Sequence, residues 1–115
     1  MRHLTEISDF SVEEISQLIS VSRDIMTTPQ SYIDAMRGKV MATLFYEPST
    51  RTKFSFEAAM QRLGGSVIGF SGAENTSAAK GETLSDTVRM VSAYADFIVM
   101  RHYIAGAPMQ SSKIS

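Results

Sequence analysis

KVMATLFYEPSTRTKFSFEAAMQRLGG, residues 39–65, holds the transition on which the fold turns. Val40, Met41, Ala42, Leu44 and Phe45 form a nearly continuous apolar run, with Gly38 before it and Pro48 after it. A short apolar run bounded in this way predicts a buried strand over 39–45. From about Thr50 the spacing changes to helical and continues to Leu63, with Phe54, Ala58, Met60 and Leu63 among the apolar positions. Gly64 and Gly65 then stop the helix. A buried strand that feeds a helix directly is the opening of a βαβ unit.

Working outward, residues 66–70 (Ser-Val-Ile-Gly-Phe) and 96–100 (Asp-Phe-Ile-Val-Met) predict two further strands. Residues 83–94 predict a helix between them, with Leu84, Val88, Val91 and Met90 facing inward. Upstream, Val12, Ile15, Leu18, Ile19 and Ile25 recur as one apolar stripe over 11–26. Ser11 and Glu14 have the spacing of a capping box, and Ile7 and Phe10 are suited to pack over the start of that helix. A shorter helix is expected over 31–36. Helices alternating with short buried strands imply an α/β fold, a parallel sheet with helices on both faces.

The chain has 115 residues, which makes one domain. Lys plus Arg number 11 against 12 Asp plus Glu, a net charge of −1 that argues against a basic nucleic-acid-binding domain. There is no Cys, so disulfides, thiolate metal sites and a cysteine nucleophile are excluded. No apolar run has the length of a membrane span, and a cytoplasmic location is expected. After Arg101 the sequence runs through Gly106 and Pro108 to a polar tail in which no closing helix or strand is evident. The chain therefore reads as cut short at its C-terminal end.

Chemistry concentrates at three places. Residues 46–52 join the carboxyl end of a strand to a helix N-terminus, where ligands bind in open α/β sheets. Helix-terminal amides suit phosphate, Ser49, Thr50 and Thr52 add hydroxyls, and Arg51 adds a fork for an oxyanion. The same residues also suit a plain N-cap with a solvated arginine. Residues 71–81 form a long loop that carries Ser77 and Lys80, and this lysine is either a reaching cation or an ordinary surface residue. Arg101 and His102 lie at the end of the last strand, on the same sheet edge as Arg51. Two arginines there suit a dianion, whereas a single His is more often structural.

These pieces together resemble the aspartate/ornithine carbamoyltransferase family. The resemblance is carried by Phe45-Tyr46-Glu47-Pro48-Ser49-Thr50-Arg51-Thr52, Ser55-Phe56-Glu57, Arg62-Leu63-Gly64-Gly65, Lys80-Gly81-Glu82-Thr83, Asp86-Thr87 and Val99-Met100-Arg101-His102, in that order. Tyr46 in the first motif and the Lys80 loop are closer to the aspartate than to the ornithine members. The resemblance implies a carbamoyl-phosphate-binding domain over 1–102, a divergent tail over 103–115, and no aspartate-binding domain. It implies that Ser49, Thr50, Arg51, Thr52 and Arg101 bind carbamoyl phosphate, with Arg51, Thr52 and Arg101 taking part in catalysis. Ser77 and Lys80 would reach the neighbouring subunit of a homotrimer. The implied reaction moves the carbamoyl group to the amine of L-aspartate in pyrimidine biosynthesis, with no metal or organic cofactor. The competing expectation is a non-catalytic domain that binds phosphate-type anions or only associates with other subunits. Tyr103 replaces the proline expected after Arg101-His102, and the family's later His-Pro motif has no counterpart.

Overall fold

The computed structural model describes residues 3–72, 83–103 and 106–113. Its centre is strand β1 (Val40–Phe45), whose residues from Met41 onward are all buried. Strands β2 (Ser66–Ser71) and β3 (Phe97–Arg101) pair with it in parallel, one on each side, in the order β2-β1-β3. Because β1 is central and both faces of the sheet are covered by helices, its side chains are apolar at nearly every position rather than at alternate ones.

Helix α2 (Thr50–Arg62) follows β1 directly and covers one face of the sheet, on the side of Met41, Thr43 and Phe45. Helix α3 (Leu84–Ser92) covers the other, where Val88 and Val91 pack on Ala42, Leu44 and Tyr46. Successive right-handed crossovers in opposite directions along the sheet put the two helices on opposite faces. The Thr83 hydroxyl caps α3 by accepting from the Asp86 amide at 3.1 Å. The expected α/β architecture with helices on both faces is what the chain adopts.

Several local expectations differ from the structure. No side chain of helix α1 (Val12–Thr27) is buried, and Val12, Leu18 and Ile19 of its apolar stripe are exposed, as is Ile7 before it. The period is a true helix signal, but among the described residues the stripe is only partly covered, with Ile15 and Ile25 half-buried. In α2, Phe54 and Ala58 are exposed and Met60 is the buried residue; in α3, Met90 is exposed. The helix expected over 31–36 is a 3-10 turn at Pro29–Tyr32 followed by further turns.

The tail also departs from expectation. A short helix, α4 (Ala107–Ser112), forms where none was evident. Gly106 precedes it with φ of 87°, and Pro108 stands within its first two positions, where a proline assists a helix rather than breaking it. Ala107 and Ser111 are buried, and the Ser111 hydroxyl lies 3.6 Å from the Met100 sulfur. The α3 face of β3 is therefore covered. Its other face lines an open groove with Met41, Phe45, Phe56 and Met60.

With no fully buried side chain and contacts chiefly to the Pro29–Tyr32 turn, α1 relies strongly on its own capping. The Ser11 hydroxyl accepts from the Glu14 amide at 3.1 Å, and the Glu14 carboxylate accepts from the Ser11 amide at 2.9 Å. Ser11→Ala is expected to cost about 1 kcal/mol locally. Faster amide exchange over the first turn of α1, with β1 unchanged, is the signature; unchanged exchange there contradicts it.

Candidate functional site

The carboxyl end of β1 is a topological switch point, with β2 on one side, β3 on the other, and the chain leaving toward α2. Open α/β sheets place their ligands in such a crevice. Phe45 is in register with Arg101, and the Glu47 amide donates to the Arg101 carbonyl at 3.2 Å, so the pairing continues past the strand ends. That continuation returns the Glu47 side chain to Arg101. One carboxylate oxygen accepts from Arg101 at 3.2 Å through Nε and at 2.9 Å through Nη2.

Ser49 stands at the N-cap of α2 but makes no side-chain capping bond. Its hydroxyl donates instead to Thr52 Oγ1 at 3.0 Å. The reading of Ser49 as a simple cap is therefore not what the structure shows, and the first-turn amides keep their capacity to meet an anion. Thr50 and Arg51 are exposed, and Arg51 has no ion pair among the described residues. Thr52 is half-buried and lines the same open groove as Arg101. Ser49, Thr50, Arg51, Thr52 and Arg101 thus share one sheet edge. Ser77 and Lys80 lie outside the described residues.

His102 is held by aromatic contacts. Its ring lies 4.8 Å from that of Tyr46, tilted, and 4.6 Å from that of Tyr103, stacked. Tyr46 in turn meets Phe70 edge-on at 5.1 Å. Burial among these rings lowers the His102 pKa from its ordinary value.

Two acidic residues here received no role from sequence alone. Glu47 occupies Arg101, and the available signal was an acid among residues otherwise suited to an anion. Glu57, one turn beyond Lys53, accepts from Lys53 Nζ and from the Thr43 hydroxyl, each at 2.8 Å. Burial pushes its carboxyl up, but the two hydrogen bonds and the Lys53 charge outweigh this and hold it below its usual value.

Comparison with known proteins bears on this geometry. The family described as "Aspartate/ornithine carbamoyltransferase, carbamoyl-P binding domain" matches residues 2–114, past His102 and through the tail. The chain belongs to the aspartate/ornithine carbamoyltransferase family. It is 52% identical over 114 residues to the aspartate carbamoyltransferase catalytic subunit of Clostridium acetobutylicum, covering 99% of this chain and 37% of that protein. Identity to the corresponding subunit of Lachnoclostridium phytofermentans is 50% over 115 residues, covering 100% and 38%. Among carbamoyltransferase structures, the catalytic subunit of M. jannaschii aspartate transcarbamoylase superposes with a TM-score of 0.93 at 44% identity, covering 100% of this chain and 39% of that one. The Trypanosoma cruzi aspartate transcarbamoylase in complex with carbamoyl phosphate and aspartate gives 0.89 at 37% identity, covering 99% and 38%. The chain therefore spans less than two fifths of the length of these relatives. No helix among the described residues is long and apolar enough to cross a membrane.

Proposed function

We propose that the chain supplies the carbamoyl phosphate half of an aspartate carbamoyltransferase site. The observation that carries this reading is the convergence of the uncapped α2 N-terminus and Arg101 on one sheet edge. The phosphate group sits at the first turn of α2, taking the amides, the hydroxyls of Ser49, Thr50 and Thr52, and the Arg51 fork. Arg101 exchanges Glu47 for the ligand and bridges phosphate to the carbonyl oxygen, with Thr52 beside that oxygen. The aspartate amine then forms a C–N bond to the carbamoyl carbon and gives up a proton, and the C–O bond to phosphate breaks. Charge that develops on the carbonyl oxygen meets fixed cationic and hydroxyl donors, so no covalent intermediate is needed. Binding both substrates in reacting geometry contributes much of the remaining acceleration.

Aspartate recognition belongs to sequence that the longer relatives possess beyond this span, and the chain by itself binds without turnover. Ser77 and Lys80 reach an adjacent subunit of a homotrimer in this reading. A domain of residues 1–102, a tail of 103–115, function without a cofactor and a cytoplasmic location complete the proposal.

Titration with phosphate and carbamoyl phosphate tests it by amide NMR. Shifts concentrated at residues 49–52 and 101 support the reading; no binding, or shifts elsewhere, overturn it. Glu47 supplies a second check. It is half-exposed and competes with the ligand for Arg101. Glu47→Gln is expected to tighten phosphate binding several-fold by removing the competing charge, whereas weaker binding would mean that Glu47 positions Arg101.

A further inference from the structure

Thr43 is completely buried at the middle of β1, and its hydroxyl donates to Glu57 Oε2 at 2.8 Å. The same oxygen accepts from Lys53 Nζ at 2.8 Å. Gly69 of β2 makes room for this contact, since a Cβ there would stand 2.4 Å from the Thr43 hydroxyl. One side chain in each of β1 and the first two turns of α2 therefore meets at a single carboxylate, beneath a glycine of β2.

Helix stability does not account for the arrangement. Lys before Glu at this spacing is the weaker order for a helical pair, and a cation near a helix N-terminus opposes the dipole. The Lys53 and Glu57 side chains are only 18% and 20% exposed, so the pair also forgoes most of its contact with water. What it accomplishes is a tie between helix and central strand. Lys53 immediately follows Arg51 and Thr52, and its amide donates to the Ser49 carbonyl at 2.9 Å. The tied turn is the one that carries the anion-binding groups.

We infer that Glu57 is a positioning residue that, through Thr43 and Lys53, holds the first turn of α2 over the carboxyl end of β1 so that residues 49–52 and Arg101 face one anion. The inference rests on the anion-site reading above. It makes the affinity for phosphate depend on a carboxylate that does not touch the ligand.

The test compares phosphate affinity by calorimetry in wild type, Glu57→Ala, Glu57→Gln, Thr43→Val and Arg51→Ala. Each is measured well below its melting transition, with circular dichroism confirming the fold. Glu57→Ala is expected to bind about tenfold more weakly, since small misplacements of binding groups are costly. Glu57→Gln keeps an acceptor for Thr43 and should recover most of the loss. Thr43→Val removes the tie without touching the ion pair and should weaken binding as well. A purely structural role would lower the melting temperature of Glu57→Ala and leave affinity in the folded state unchanged. Wild-type affinity in Glu57→Ala, alongside lost binding in Arg51→Ala, overturns the inference and leaves the anion site standing. If Glu57→Ala does not fold, wild-type affinity in Thr43→Val overturns it equally. Failure of the folded wild type to bind phosphate removes the anion-site reading and this inference with it.

Discussion

Arg51→Ala is expected to weaken binding of phosphate and carbamoyl phosphate about a hundredfold, because it deletes a charge-assisted, two-pronged donor from the centre of the site. Arg51 is exposed and has no ion pair among the described residues, so none of these must release it when the ligand arrives. Arg101 differs, since its guanidinium already holds Glu47 and ligand binding there would be an exchange. The larger loss should therefore follow removal of Arg51. Arg51→Lys keeps the charge but not the fork and should recover only part of the affinity. Calorimetric titration of the three proteins decides the matter, and equal affinity in wild type and Arg51→Ala would end the claim that this turn is the anion site.

The second large effect concerns stability. Gly69→Ala should destabilise the chain by about 3 kcal/mol or more, through two additive causes. Gly69 has φ of 150°, a backbone conformation that residues with a Cβ rarely adopt. An added Cβ would also stand 2.2 Å from the Thr43 carbonyl oxygen and 2.8 Å from the Thr43 nitrogen. Those atoms belong to the backbone of the central strand, paired on both sides, and have no room to retreat. Gly38 is the control, with φ of 78° and nothing within 4 Å of a built Cβ. Gly38→Ala should cost about 1 kcal/mol from conformation alone. Denaturant unfolding of both variants measures the difference, and equal losses would show that the contact with Thr43 relaxes freely.

How far the site was legible can be judged from individual residues. Ser49, Thr50, Arg51 and Thr52 were readable because strand, turn and helix follow one another locally, and the periodicity places the turn at the strand's carboxyl end. Arg101 was readable as lying on the same edge, because parallel strands all end there. Its ion pair with Glu47 was not. That contact needs β3 beside β1 rather than beside β2, and no local pattern specifies strand order. The α4 helix was not legible because six residues, Ala107–Ser112, are too few to show a helical period, and its burial depends on contact with β3. The exposed stripe of α1 shows the reverse limit, since periodicity reports a helix and a face but not what covers it.

The sequence by itself determined the alternation of elements, the parallel sheet and the family, and it singled out the turn proposed here for an anion, since short-range periodicity and contiguous motifs encode all four. Only the tertiary structure decided that Glu47 occupies Arg101, that Ser49 bonds Thr52 instead of capping its helix, and that Glu57 joins Lys53 to Thr43 beneath Gly69. Each of those contacts depends on where the folded backbone places a side chain, through strand order, helix tilt or rotamer, and residue spacing alone does not carry that information.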